Sequence, residues 1–216
     1  MIFNKVQPKK LIPLVFFLLF ILAGTIIVTQ AYVLFGYQMK GSWQDEYYYI
    51  SEDRVTYNGQ TVNYGTIATA AVREWNSAVD RESGHTMDID LSKTSNGSAT
   101  TTRIVFSPLD RGAIGWVGFT YYYDYNSLTG WSIINPDQYP TRDYQSASVI
   151  INLFSAHTLG TTKIKNVMMH EMGHAFGLAH PPTGTTNSLM RRDIASVSTS
   201  VPPQPDDIAG VRSIYE

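Results

Sequence analysis

The sequence contains no cysteine among its 216 residues. This absence excludes disulfide bonds, thiolate metal ligands, a cysteine nucleophile and any latency mechanism that depends on a thiol. A bound metal must therefore be held by histidine or carboxylate side chains. An exported protein without disulfides must be stable through its core alone, which a body of about 170 residues can supply. The lack of cysteine also favours a bacterial host that exports proteins without an oxidative folding pathway.

An excess of positive charge is absent as well. The formal net charge is -2, and acidic and basic residues are interspersed along the chain. Proteins that bind a phosphate backbone usually carry a basic patch or stripe, so we expect no nucleic-acid partner. The length of the body fits one domain, and we expect it to act as a monomer.

The first 40 residues have features of both an export signal and a membrane anchor. Three lysines precede a stretch without charged residues from Leu11 to Met39. Small residues at positions 29–31 fit a signal-peptide cleavage site, but the stretch also exceeds the roughly 20 residues that span a bilayer. We predict a signal peptide or an N-terminal membrane anchor at 1–40, with the membrane as a partner if it is uncleaved, and a domain outside the cytoplasm at 41–216. A buried core helix is the less favoured interpretation.

The order of the predicted elements indicates an α+β fold. Apolar residues recur every four positions between Tyr64 and Asp80, which predicts an amphipathic helix. Two more helices are predicted at Lys163–Phe176 and Asp206–Tyr215, while the polar segment Asp124–Asp143, with two prolines, is predicted as a long surface loop. Together these patterns favour a twisted mixed sheet backed by helices. Strand patterns occur at Met87–Leu91, Arg103–Phe106, Gly112–Tyr123 and Ala147–Leu153.

Three of the five histidines lie within eleven positions, in the segment HEMGHAFGLAH that begins at His170. His170 and His174 are four residues apart, so on a helix both rings can face one metal ion. Gly177 can adopt the left-handed conformation that ends a helix and turns the chain, which would bring His180 to the same ion. Three protein ligands and an open position are typical of catalytic zinc, whereas structural zinc sites have four protein ligands.

Glu171 lies beside the predicted ligand face of the same helix. A carboxylate there can accept a proton from the water that zinc activates, which makes Glu171 the candidate catalytic base. An ordinary amphipathic helix would explain His170 and His174 but would leave Gly177 and His180 unexplained. The remaining histidines, His85 and His157, are isolated, and we do not predict them as ligands.

The segment HEMGHAFGLAH resembles the metzincin signature HExxHxxGxxH, and its GLAH ending is closest to the matrixin branch. The resemblance implies a zincin-like catalytic domain whose active-site helix carries HExxH, and a zinc-dependent endopeptidase activity. Metzincins also have a methionine turn downstream, which NSLM at 187–190 resembles. This similarity implies that Met190 forms an apolar floor beneath the three imidazoles.

The sequence departs at two places from the families that it resembles. Matrixins usually bind a second zinc through histidines before their last strand, but Asp124–Ser148 contains none, so we predict one catalytic zinc. Other metzincin branches have a tyrosine two residues after the turn methionine, where this chain has Arg192. Calcium binding remains open, because Asp and Asn residues scattered in loops could bind calcium without a readable motif.

The resemblance also implies that a peptide substrate lies extended along an edge strand. Our candidate for that strand is Gly112–Phe119, and its central residues are Gly115, Trp116, Val117 and Gly118. An equally supported interpretation is a buried strand with a bulge. The segment Arg191–Pro203 would form a wall of the substrate pocket. Two other functions stay open: a surface binding protein that does not cleave, and a zinc hydrolase of a non-peptide substrate.

Overall fold

The computed structural model describes residues 32–41, 46–82, 89–135 and 139–215, with the side chains of the first helix described as far as residue 78. Residues 1–31, on which the predicted signal peptide or anchor falls, lie outside the described residues. Among the residues that are described, no helix is both long enough and apolar enough to cross a membrane.

A six-stranded mixed sheet forms the centre of the domain. In chain order the strands are β1 (Val33–Leu34), β2 (Glu46–Ile50), β3 (Val55–Tyr57), β4 (Gln60–Val62), β5 (Leu91–Lys93), β6 (Thr102–Leu109), β7 (Gly118–Asn126), β8 (Gly130–Ile134), β9 (Ser146–Asn152) and β10 (Leu178–Ala179). The sheet has the order β5-β2-β6-β9-β7-β8. The first four strands of that order are parallel to one another, whereas β7 is antiparallel to both β9 and β8. All seven residues of β9 are buried, which agrees with its uninterrupted apolar sequence.

Two long helices pack together against this sheet. The helices are α1 (Tyr64–Glu82), α2 (Leu153–Ala156), α3 (Thr161–Ala175) and α4 (Pro205–Tyr215), with a short 3-10 helix at Ile194–Ser196. The side chain of Asn63 caps α1 by accepting a hydrogen bond from the backbone N–H of Thr66 at 3.0 Å. The predicted spacing of four is observed, since Ile67, Ala71 and Trp75 are all buried. The α+β class, the mixed sheet and the three predicted helices are confirmed.

The strand predicted at Gly112–Tyr123 begins only at Gly118. Gly112 and Gly115 have φ values of 69° and 83°, which lie in the left-handed region and are incompatible with an extended strand. The prediction that Gly115, Trp116 and Val117 belong to an edge strand is therefore wrong. These three residues form an irregular segment that leads into β7.

The loop predicted at Asp124–Asp143 is also wrong in part. Strand β7 continues to Asn126, and a tight turn connects it to β8, which pairs antiparallel with it. Ile134 is the one buried residue of β8 and its neighbours Ser132 and Ile133 are both exposed, so the strand lacks the alternation by which a half-buried strand is recognised. The lead-in before α1 likewise contains β2 and the β3–β4 hairpin, for which no strands were predicted. Of the strand predicted at Met87–Leu91, residues 87–88 lie outside the described residues, Ile89 and Asp90 are not in a strand, and β5 begins at Leu91.

The described residues before position 41 belong to the folded domain. Strand β1 pairs with β10, and Met39 is 2% exposed and forms a bridge with Tyr144. The predicted division into 1–40 and 41–216 stays a prediction, but the described residues 32–41 pack with the body. Phe35 and Met39 continue the uncharged, apolar character of the sequence before them, so composition alone does not separate them from the N-terminal segment.

Candidate metal centre

Helix α3 carries two of the three predicted ligands at its C-terminal end. His170 and His174 are 3% and 5% exposed, because the last turns of α3 are packed against the sheet and α1. Gly177 follows with a φ of 101°, which turns the chain into β10 and leads directly to His180. The end of the helix is held in place by tyrosine hydroxyls, since Tyr144 donates to the carbonyl of Ala175 at 2.9 Å.

The Nε2 atoms of the three histidines converge on one point. His180 Nε2 lies 3.1 Å from His170 Nε2 and 3.2 Å from His174 Nε2. Two nitrogens bound to a tetrahedral zinc at ~2.0–2.1 Å are separated by roughly 3.3 Å. The observed spacing therefore fits three corners of a tetrahedral zinc site. Among the described residues, this is the one group of three or more potential ligands close enough to hold a metal ion.

The outer nitrogens of the same rings have oxygen partners. His170 Nδ1 lies 2.8 Å from the carbonyl of Leu189, and His174 Nδ1 lies 2.8 Å from the carbonyl of Leu178. A carbonyl can only accept, so Nδ1 carries the proton in both rings and Nε2 presents its lone pair to the metal position.

Burial also favours the neutral form that metal binding requires. It lowers the pKa of His170 to about 3, although the hydrogen bond to Leu189 opposes part of this shift. Burial and then the charge of Arg192 lower the pKa of His180 to about 4. For His174, burial and the two neighbouring imidazoles hold the pKa well below its ordinary value. All three rings are thus neutral at pH 7 and available as ligands.

Glu171 belongs to α3 and is 6% exposed. Its side chain faces β7, beside the histidine cluster. The Thr120 hydroxyl donates to Glu171 Oε2 at 2.8 Å. Burial raises the pKa of Glu171 to about 8, and the Thr120 hydrogen bond opposes part of that rise. The close approach of β7 depends on Gly118, since a Cβ at that position would lie 2.8 Å from Glu171 Oε1. Neither Thr120 nor Gly118 was predicted to contact this carboxyl group.

A tight turn at Ser188–Met190 lies next to the three histidines. Met190 is 2% exposed, and its Cε would lie 3.1 Å from a Cβ placed on Gly173, in the middle of the HExxH segment. Buried Asp207 fixes the turn by accepting from Ser188 Oγ at 2.7 Å and from the Leu189 backbone N–H at 2.8 Å. No role was predicted for Asp207, although the helix that carries it, α4, was predicted.

A cavity of about 790 Å³ opens over this cluster. The predicted residues Gly115, Trp116, Val117 and Gly118 line it, together with Glu171 and the three histidines. Asn152 holds the irregular segment in place by donating to the carbonyls of Gly112 at 3.0 Å and Trp116 at 3.2 Å. On another wall lie Arg192, Ile194 and Ala195, from the segment predicted to shape the pocket.

His157 does not join this site. Its Nδ1 lies 2.7 Å from the carbonyl of Phe154 near the surface, and among the described residues His157 belongs to no group of three or more potential ligands. His85 lies outside the described residues. Calcium binding stays open as before, and the three-histidine group consists of nitrogen ligands, which suit zinc better than calcium.

Comparison with known proteins agrees with this geometry. A family model described as matrixin, of peptidase family M10, matches residues 48–216. A solved structure described as the GM1 bound form of the ECX AB5 holotoxin is similar in fold, with a TM-score of 0.54 and 16% sequence identity over 87% of this chain and 89% of that one. The comparison with curated proteins gives no match. Because the family match extends over most of the sequence and includes the whole three-histidine group, the chain belongs to the matrixin family of zinc-dependent endopeptidases.

Proposed function

We propose that this protein hydrolyses peptide bonds in proteins outside the cytoplasm, with one zinc ion held by His170, His174 and His180. The observation that carries the proposal is the convergence of three Nε2 atoms at 3.1–3.2 Å in a cavity that Glu171 also lines. A structural site would have a fourth protein ligand, whereas this group has three among the described residues and faces a cavity large enough for a peptide segment.

In this proposal Glu171 is the catalytic base, and the positive charge of a bound zinc ion would offset the burial that raises its pKa to about 8, so that the ionised carboxylate can accept a proton. When bound, zinc polarises the scissile carbonyl and makes water a stronger acid. Glu171 accepts the proton from the attacking water and later delivers it to the leaving amine. The Thr120 hydroxyl holds Glu171 Oε2 at 2.8 Å and thereby restricts the carboxyl group to one orientation. Met190 packs under the site and supports the helix segment between the first two ligands.

We further propose that substrate lies along the first half of β7. Strand β8 pairs only with Tyr122 and the residues that follow it, while β9 covers the opposite side of β7 from Gly118 onward. Within the described residues, the backbone of Gly118–Tyr121 therefore has one side without a strand partner, at the cavity. An extended peptide could add there as a further strand. In this proposal the substrate edge begins at Gly118, and Gly115, Trp116 and Val117 form part of the cavity wall.

Incubating the purified protein with casein tests the activity. We expect cleavage that a zinc chelator abolishes and that added zinc restores, because no other described group replaces the three-histidine site. A matched sample with chelator already saturated by zinc controls for effects of the chelator itself. Absence of cleavage in the zinc-loaded protein, for casein and for a diverse peptide library, would contradict the endopeptidase proposal and favour a binding protein.

N-terminal sequencing of the protein from its producing cells tests the proposed location. If the N-terminal segment is a cleaved signal, the mature chain should begin at or near Tyr32 and be found in the medium. If it is an anchor, the intact chain should stay with the membrane, and a protease added outside intact cells should digest the domain. Detection of the protein only in the cytosol would contradict both forms.

A further inference from the structure

The third histidine is held differently from the other two. The rings of His170 and His174 hydrogen-bond to backbone carbonyls, which are fixed by the fold. His180 lies beyond the end of α3 and β10, and its Nδ1 instead lies 3.0 Å from the hydroxyl oxygen of Tyr139. Tyr139 comes from the segment after β8, far from the histidines in sequence.

The three-histidine geometry determines the direction of this hydrogen bond. If His180 binds a metal through Nε2, its remaining ring proton must be on Nδ1. The Tyr139 oxygen then accepts that proton, which fixes both the tautomer and the rotation of the His180 ring. A backbone carbonyl performs the same task for His170 and for His174, so Tyr139 supplies the equivalent partner for the third ring.

Several contacts hold Tyr139 where this bond can form. Its ring stacks on Phe35 with centroids 4.3 Å apart and planes inclined by 30°. Phe35 also stacks on His174 at 5.5 Å, and its backbone N–H donates to the carbonyl of Gly177 at 3.0 Å. Asn135 donates to the Tyr139 carbonyl at 3.2 Å. Phe35 therefore connects Tyr139 to the metal-binding helix and to the turn that follows it.

We propose that Tyr139 is a positioning residue that orients His180 for zinc, and that Phe35 positions Tyr139. The inference rests on the proposed function, because it requires that the three histidines hold zinc. It assigns a role to the segment at 32–41 as well, since this segment delivers Phe35 to the site through the pairing of β1 with β10.

Tyr139→Phe tests the proposal, because it removes the hydroxyl and retains the ring that packs on Phe35. We expect zinc affinity, measured by competition with a chromogenic chelator, to fall by a factor of about 10–100, the usual effect of losing such a partner of a metal-binding histidine. The absorption bands of the Co²⁺-substituted protein should also change, since they report the orientation of the ligands. Phe35→Leu, which keeps the hydroxyl and loosens its support, should weaken zinc binding less.

Tyr125→Phe is the matched control. Tyr125 is 39% exposed, compared with 44% for Tyr139, and it lies near the far end of β7 against Trp131. This control should bind zinc as the parent does. Tyr139→Phe with parental zinc affinity, or with weaker binding but an unchanged Co²⁺ spectrum, would overturn the role of Tyr139 alone. A parent protein that binds no zinc would instead overturn the proposed function on which the inference depends.

Discussion

Replacement of Glu171 by alanine should leave zinc bound and nearly abolish cleavage. No ligand is lost, so we expect one zinc per chain and a fold that melts in the range of the parent. Turnover of casein should fall by a factor of at least about a hundred, the scale expected when a general base is removed. Zinc content by metal analysis and the initial rate of casein cleavage measure the two effects separately.

Glu52→Ala is the control for this variant, because Glu52 is an exposed glutamate outside the cavity. It should cleave at the parental rate. If Glu171→Ala also cleaves at the parental rate, Glu171 is not the base and the mechanism proposed here is wrong. If Glu171→Ala loses zinc but remains folded, the carboxyl group has a role in holding the metal that the three-histidine geometry does not include.

Replacement of His174 by alanine should remove zinc and cleavage together. His174 is one of three nitrogen ligands, and two imidazoles form a poor zinc site. The metal-free parent should be stabilised by added zinc, because a ligand that binds only the folded state raises its melting temperature. His174→Ala should lack this stabilisation. Metal content, cleavage rate and the shift in melting temperature on adding zinc should all change in this variant.

His157→Ala is the matched control for a histidine lost elsewhere. His157 lies near the surface, with its Nδ1 at 2.7 Å from the carbonyl of Phe154, and belongs to no group of potential ligands. It should retain one zinc, parental cleavage and the stabilisation by zinc. Full zinc content in His174→Ala would show that the metal is bound at another place in the chain.

The histidine cluster could be predicted from sequence because its residues lie close together in the chain. His170 and His174 are one helical turn apart, and Gly177 provides the turn that leads to His180. Periodicity likewise predicted α1, since one face of that helix is buried as far as its side chains are described, from Tyr64 to Ala78. These features depend on neighbours within about ten residues, which a single sequence displays directly.

The remaining parts of the site depend on contacts between distant segments. Tyr139 and His180 are 41 residues apart in sequence, and nothing near Tyr139 in the chain indicates a partner. Thr120 contacts Glu171 because β7 passes close to α3 at Gly118. Asp207 reaches the turn at Met190 from the last helix. Only the fold brings these pairs together, so residue patterns could not reveal them.

The start of β7 shows a different reason for failure. The composition of residues 112–123 favours a strand throughout, but the positive φ values of Gly112 and Gly115 prevent one in the first half. Glycine allows both extended and left-handed backbone, so its presence alone does not distinguish them. Asn152 holds this segment through hydrogen bonds to two of its carbonyls. It comes from β9, so the residues near the segment in sequence could not predict this contact.

The most direct test of the central claim is a side-by-side measurement of zinc per chain and casein turnover in the parent, Glu171→Ala and His174→Ala. We predict one zinc with cleavage in the parent, one zinc with turnover lower by at least about a hundredfold in Glu171→Ala, and neither zinc nor cleavage in His174→Ala. This pattern would separate the base from the ligands. Cleavage by metal-free parent protein, or parental turnover in either variant, would contradict a catalytic zinc held by His170, His174 and His180 with Glu171 as its base.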